Sequence, residues 1–81
     1  MTAAMHGVGY GTVVTVEYLD ANRGAISSLN VRVNDRGPWE KGASGQWIPH
    51  STRVIDLSPA AFKRLTGNIY LGVVPVRVYI P

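Results

Sequence analysis

Apolar and polar residues alternate along three stretches of this chain, and each stretch predicts a strand. Thr12 to Tyr18 (TVVTVEY) is β-branched almost throughout, with Val14, Val16 and Tyr18 on one face and Val13, Thr15 and Glu17 on the other. Leu19 to Gly24 (LDANRG) supplies turn residues, so a hairpin loop is expected there. Ser28 to Asn34 (SLNVRVN) alternates most cleanly, with Leu29, Val31 and Val33 inward and Asn30, Arg32 and Asn34 outward. Extending that parity by one residue puts Asp35 on the core side at the strand's end, which predicts a partly buried carboxylate. Val73 to Ile80 (VVPVRVYI) alternates Val74, Val76, Val78 and Ile80 against Pro75, Arg77 and Tyr79.

Between these stretches the pattern is less regular. Gly7, Gly9 and Gly11 alternate with Val8 and Tyr10, which suggests a loop or irregular strand; the strand-before, helix-after context of a phosphate cradle is missing. Asp35-Arg36-Gly37-Pro38 ends the strand that begins at Ser28, because Gly and Pro oppose ladder continuation. Trp39 to Thr52 (WEKGASGQWIPHST) reads as a long loop around Gly42, Ser44 and Gly45, and loops of this length in compact domains usually carry function or move. Arg53 to Leu57 (RVIDL) reads as a short strand. One helix is expected over about residues 58–66: Ser58 suits the N-cap, Pro59 the first helical position, Leu57 and Phe62 a hydrophobic staple, and Gly67 the stop.

The chain has 81 residues, 46% of them apolar and 16% charged, with a net charge of +3. That length fits a single domain over 1–81, and the low charge excludes a disordered tail. Without cysteine there is no disulfide, thiolate metal site or cysteine nucleophile. His6 and His50 lack a third ligand, so no metal site and no cofactor is expected. No apolar run approaches the roughly 20 residues of a membrane-spanning helix. Scattered cations do not form the basic, aromatic-interleaved face that nucleic acid requires.

The predicted class is mainly β, a small barrel with one short helix. Four confident strands fall short of the five or six that close such a barrel, and a four-stranded open sheet would leave long exposed edges. The deficit is made up by Met1 to Tyr10, by strand exchange or dimerisation with another chain, or by strands upstream of Met1. Met1 to His6 lacks a signal-peptide pattern, so either the product begins there or an export segment precedes it.

VRVNDRGP (residues 31–38), VIDLSPAAF (54–62) and GVVPVRVYI (72–80), with TAA (2–4) and YGTVV (10–14), resemble the rare lipoprotein A family. The match covers almost the whole chain, with extra residues in the 39–52 loop. The resemblance implies a six-stranded double-psi β-barrel of the bacterial cell envelope, periplasmic or extracellular, akin more distantly to expansin-like and barwin-like domains. It further implies a lytic transglycosylase acting on peptidoglycan glycan strands, with Asp35 as acid and then base. Such an acid needs a desolvated setting to keep its proton near neutral pH. Ring closure to a 1,6-anhydro sugar needs no activated water, so one Asp suffices in principle. A second reading is a non-catalytic glycan-binding module.

This chain departs from the family at two points. It starts after the position of an upstream Glu, and it carries Met5 where a His follows TAA, with His6 one residue later. In a strand such a slip turns a side chain to the opposite face.

The remaining candidates come from residue chemistry. Arg36 offers a planar fork for a sugar carboxylate or N-acetyl oxygen, or else pairs with Asp35 or Asp56. Trp39, Trp47 and Tyr10 offer a stacking platform for a pyranose; His6 completes the substrate-binding set. Asp56 and Ser58 are assigned structural roles at the helix start, with Asp56 anchoring backbone amides there.

Overall fold

The computed structural model describes residues 1–81. Seven strands and one helix run in the order β1 (Thr2–Met5), β2 (Val13–Asp20), β3 (Gly24–Asp35), β4 (Trp39–Lys41), β5 (Trp47–Pro49), β6 (Ile55–Leu57), α1 (Pro59–Thr66) and β7 (Val76–Tyr79). Five strands form one sheet in the order β6-β1-β3-β2-β7, and β4 and β5 form a separate two-stranded hairpin.

The β2–β3 hairpin is the backbone of the sheet, and its alternation follows the sequence. Val14 and Val16 on β2 and Val31 and Val33 on β3 are fully or almost fully buried, with Tyr18 and Leu29 packed beside them. Asp20 closes the turn by accepting the N–H bonds of Asn22 and Arg23. β1 supplies pairing from the first residues of the chain: it lies parallel to β3 and antiparallel to β6, and sends Ala3 and Met5 into the core. The helix seals one side with Ala61 and Leu65. Ser58 caps it by accepting the Ala61 N–H, and Gly67 ends it with a positive φ of 81°. Ser27 ties it to the sheet by donating to the Leu65 carbonyl.

β6 and β7 are the sheet's two edges and do not pair with each other. A cleft of about 1100 Å³ runs between β6 and residues 72–76, lined by Ile55, Leu57, Phe62, Val74 and Val76 among others. β7 is shorter than the alternation suggests. Pro75 has no N–H to offer, and its carbonyl accepts from Leu19 instead. Along the β2–β7 seam Arg77 donates to Tyr79 Oη and Glu17 Oε1, and its guanidinium is held above its usual pKa first by the Tyr79 hydrogen bond and charge, then by Glu17.

Three expectations are corrected. The 39–52 segment is not a plain loop: Trp39, Glu40 and Lys41 pair with Pro49, Ile48 and Trp47, around a turn closed by the Gly42 N–H to Gln46 carbonyl bond. Strands of three residues are too short to show a period of two. Arg53 and Val54 fall outside β6, because His50 Nδ1 accepts the Thr52 and Arg53 N–H bonds and holds that stretch as a turn. Asp35 is exposed rather than turned to the core. The ladder between β1 and β3 shifts register there: Ala3 faces Val33 but Ala4 faces Asp35, so Asn34 is an extra residue and the alternation fails one residue before the carboxylate.

Candidate functional site

Most residues singled out in the sequence meet around the turn that follows β3. Asp35 Oδ1 accepts the Arg36 N–H at 2.8 Å. The chain then reverses through Arg36, Gly37 and Pro38, with Gly37 and Pro38 buried and their peptide bond cis. The Arg36 guanidinium donates to the Met5 carbonyl at 3.1 Å and lies over the Tyr10 ring, 4.1 Å from its centroid. Its backbone carbonyl accepts from the Trp39 indole N–H at 2.9 Å. Neither expected ion pair forms. The carboxylates that do pair are those of Asp20, Glu40 and Glu17, with Arg23, His50 and Arg77.

His6 joins this cluster from the bend that follows β1. Because Met5 is buried, position 6 and not position 5 is the one that turns away from the core. His6 Nε2 must carry the proton, since its partner at 2.9 Å is the Pro38 carbonyl, which only accepts. The imidazole meets the Trp39 indole edge-to-face, with centroids 4.3 Å apart.

Trp39 and Trp47 together wall a shallow cleft of about 440 Å³. Both indoles are exposed. Trp47 is carried by β5, and Lys41 on the paired strand sits 5.5 Å above its ring. Two flat apolar faces with cations and hydrogen-bond donors beside them suit a ring compound that shows an apolar face and polar edges.

Asp56 lies in β6, two residues before the helix cap. It accepts no side-chain hydrogen bond at the helix start; Ser58 alone caps the helix there. Ala4 pairs with Asp35 across β3 and with Asp56 across β6, so the two carboxylates flank Ala4 on the outer face of the sheet. The Arg36–Tyr10 stack and this Ala4-centred row were not legible in the sequence, because both depend on register and chain reversal rather than on local spacing.

A family model described as "Lytic transglycolase" matches residues 1–78. The chain belongs to that lytic transglycosylase family. Its mainly β fold with one short helix is the double-psi β-barrel class of that family. It is also similar to a protein from Nostoc sp. (strain PCC 7120 / SAG 25.82 / UTEX 2576) named "Probable endolytic peptidoglycan transglycosylase RlpA", with 40% identity over 80 residues. That alignment covers 99% of this chain but 18% of the relative, so the chain spans about a fifth of that protein's length. Within the family domain, residues 35–38 are the turn on which the aromatic and cationic side chains converge.

Proposed function

We propose that this domain binds peptidoglycan glycan strands in the cell envelope and cleaves them as a lytic transglycosylase, with Asp35 as the acid and base. Arg36, Trp39, Trp47, Tyr10 and His6 would hold the sugar. The observation that carries this reading is the convergence of Arg36, Trp39, Tyr10 and His6 on the turn that begins at Asp35, with Trp47 sharing a cleft with Trp39. In the first step Asp35 gives its proton to the glycosidic oxygen and the C1–O bond breaks. The C6 hydroxyl oxygen of the same sugar then bonds to C1, and its proton returns to Asp35, so water is not consumed.

An acid working near neutral pH needs dry surroundings, and Asp35 is exposed in the free chain. In this reading the glycan, stacked on the indoles, supplies that dryness on binding.

The test is incubation of the protein with purified glycan strands and mass spectrometry of the products. Anhydro-ended fragments are expected from the wild type. Asp35→Asn should lower their rate by about a hundredfold or more while leaving Tm nearly unchanged. The exposure of Asp35 favours a second reading, a glycan-binding module without catalysis. Retained sacculus binding with no anhydro product from the wild type would select it.

A further inference from the structure

The ring of His50 serves as a backbone acceptor at the base of the β4–β5 hairpin. Its Nδ1 accepts the Arg53 N–H at 3.0 Å and the Thr52 N–H at 3.2 Å, with the Thr52 hydroxyl at 3.4 Å. A ring nitrogen that accepts amide protons carries none of its own, so the imidazole is neutral with its proton on Nε2. Nε2 faces Glu40 Oε2 at 3.7 Å, while Glu40 Oε1 accepts the Ser51 N–H at 3.0 Å. The His50 backbone N–H donates to the Pro38 carbonyl at 3.0 Å. One residue thus ties the end of β5 to the turn before Trp39 and, through its ring, holds residues 50–53 in the turn that leaves the hairpin.

A second proton can go only to Nδ1, where it points at two amide N–H groups. Protonation therefore exchanges two accepted hydrogen bonds for N–H facing N–H. The gain is a positive charge beside Glu40, but the two side chains are 21% and 31% exposed, and such ion pairs add little. The loss outweighs it. Arg53, the other charge in this turn, pairs with no carboxylate, and its sign also disfavours a cation on the ring. His6 reaches the same Pro38 carbonyl through Nε2–H, a donor in either charge state, so that bond survives protonation. We propose that His50 is a pH-sensitive latch: the neutral ring holds the β4–β5 hairpin with Trp47 beside Trp39, and the protonated ring releases it. The latch is closed at the alkaline end of the range in which histidines change charge, about pH 5 to 8, and opens as the pH falls through it. Only one consequence, weaker glycan binding in acid, rests on the reading of the indole cleft as a glycan site.

The experiment is an NMR titration of the whole chain from about pH 8 to about pH 5. It follows the His50 ring nitrogens, the Thr52 and Arg53 amides and the Trp47 indole N–H, in wild type and in His50→Asn. Asparagine keeps an acceptor for the amides two and three residues on, as in an Asx turn, and takes no proton. In the wild type both amides and the Trp47 indole should move on the same curve as the His50 ring. In His50→Asn they should stay flat, with His6 and the carboxylates, present in both proteins, as the shared background. A short peptidoglycan glycan fragment is then added at both ends of the range. Wild-type affinity should fall about threefold or more in acid, beyond any change in His50→Asn. A His50 ring that takes its proton while the amides and Trp47 stay still overturns the latch, as does a ring that stays neutral to the end of the titration. A Trp47 transition that persists in His50→Asn overturns it as well. A wild type that shows the transition but binds no fragment at either pH overturns the glycan site and leaves the latch standing.

Discussion

Arg36 donates to the Met5 carbonyl, lies over Tyr10, and through its backbone serves both Asp35 and the Trp39 indole. A lysine keeps the charge but loses the flat face and the fork that make two of those contacts at once. Arg36→Lys is therefore expected to cost about 1 kcal/mol, and a double-mutant cycle with Tyr10→Leu should return a coupling of roughly 0.5–1 kcal/mol in urea denaturation. A coupling near zero would show that the stack contributes nothing. Trp47 gives the opposite expectation. It is 63% exposed, so Trp47→Ala should leave stability within about 0.5 kcal/mol while reducing sacculus binding. Unchanged pull-down would remove Trp47 from the site. At this scale the residue types were legible: the aromatic residues, the arginine and the aspartate of the turn stand out in the sequence. The placement of Asp35 and Asp56 was not. Parity counting assumes an unbroken ladder, and one extra residue at Asn34 is enough to turn Asp35 outward.

Among the elements, the helix was the most legible, because its stop and start signals are local chemistry. Ser58→Ala removes the bond to the Ala61 N–H and should cost about 1 kcal/mol. Gly67→Ala forces a side chain into a left-handed conformation at φ 81° and should cost about as much. Thermal unfolding of the two variants checks both, and a Tm equal to wild type in either would mean that the cap is dispensable. The β4–β5 hairpin was the least legible element. Its strands have three residues each, and what closes it lies outside them: His50 donates its N–H to the Pro38 carbonyl, and Glu40 accepts the Ser51 N–H and faces the His50 ring at 3.7 Å. These contacts tie the base of the hairpin to the turn after β3. Trp47 is thus presented beside Trp39 by an element that the hydrophobic pattern does not announce.

The molecule as a whole rests on a narrow core. Its largest fully buried side chains are four valines, Val14, Val16, Val31 and Val33, all on the β2–β3 hairpin. Truncating one of them, as in Val33→Ala, should remove about 2 kcal/mol, a large share of what a domain this small commands. A loss below about 0.5 kcal/mol would mean that the hairpin is not the stabilising centre. The proposed site lies on the other side of the same sheet, where the row Asp35, Ala4, Asp56 faces outward while Val33, Ala3 and Leu57 face inward. One β-bulge puts Asp35 on the outer face. The most direct measurement of this arrangement is an amide and indole N–H chemical-shift map of the protein with and without a peptidoglycan glycan fragment. The account predicts shifts concentrated at His6, Tyr10, Asp35 to Trp39 and Trp47, with the Glu17–Arg77–Tyr79 seam silent. Shifts confined to that seam or to the cleft between β6 and residues 72–76, with the Asp35 turn unmoved, would contradict it.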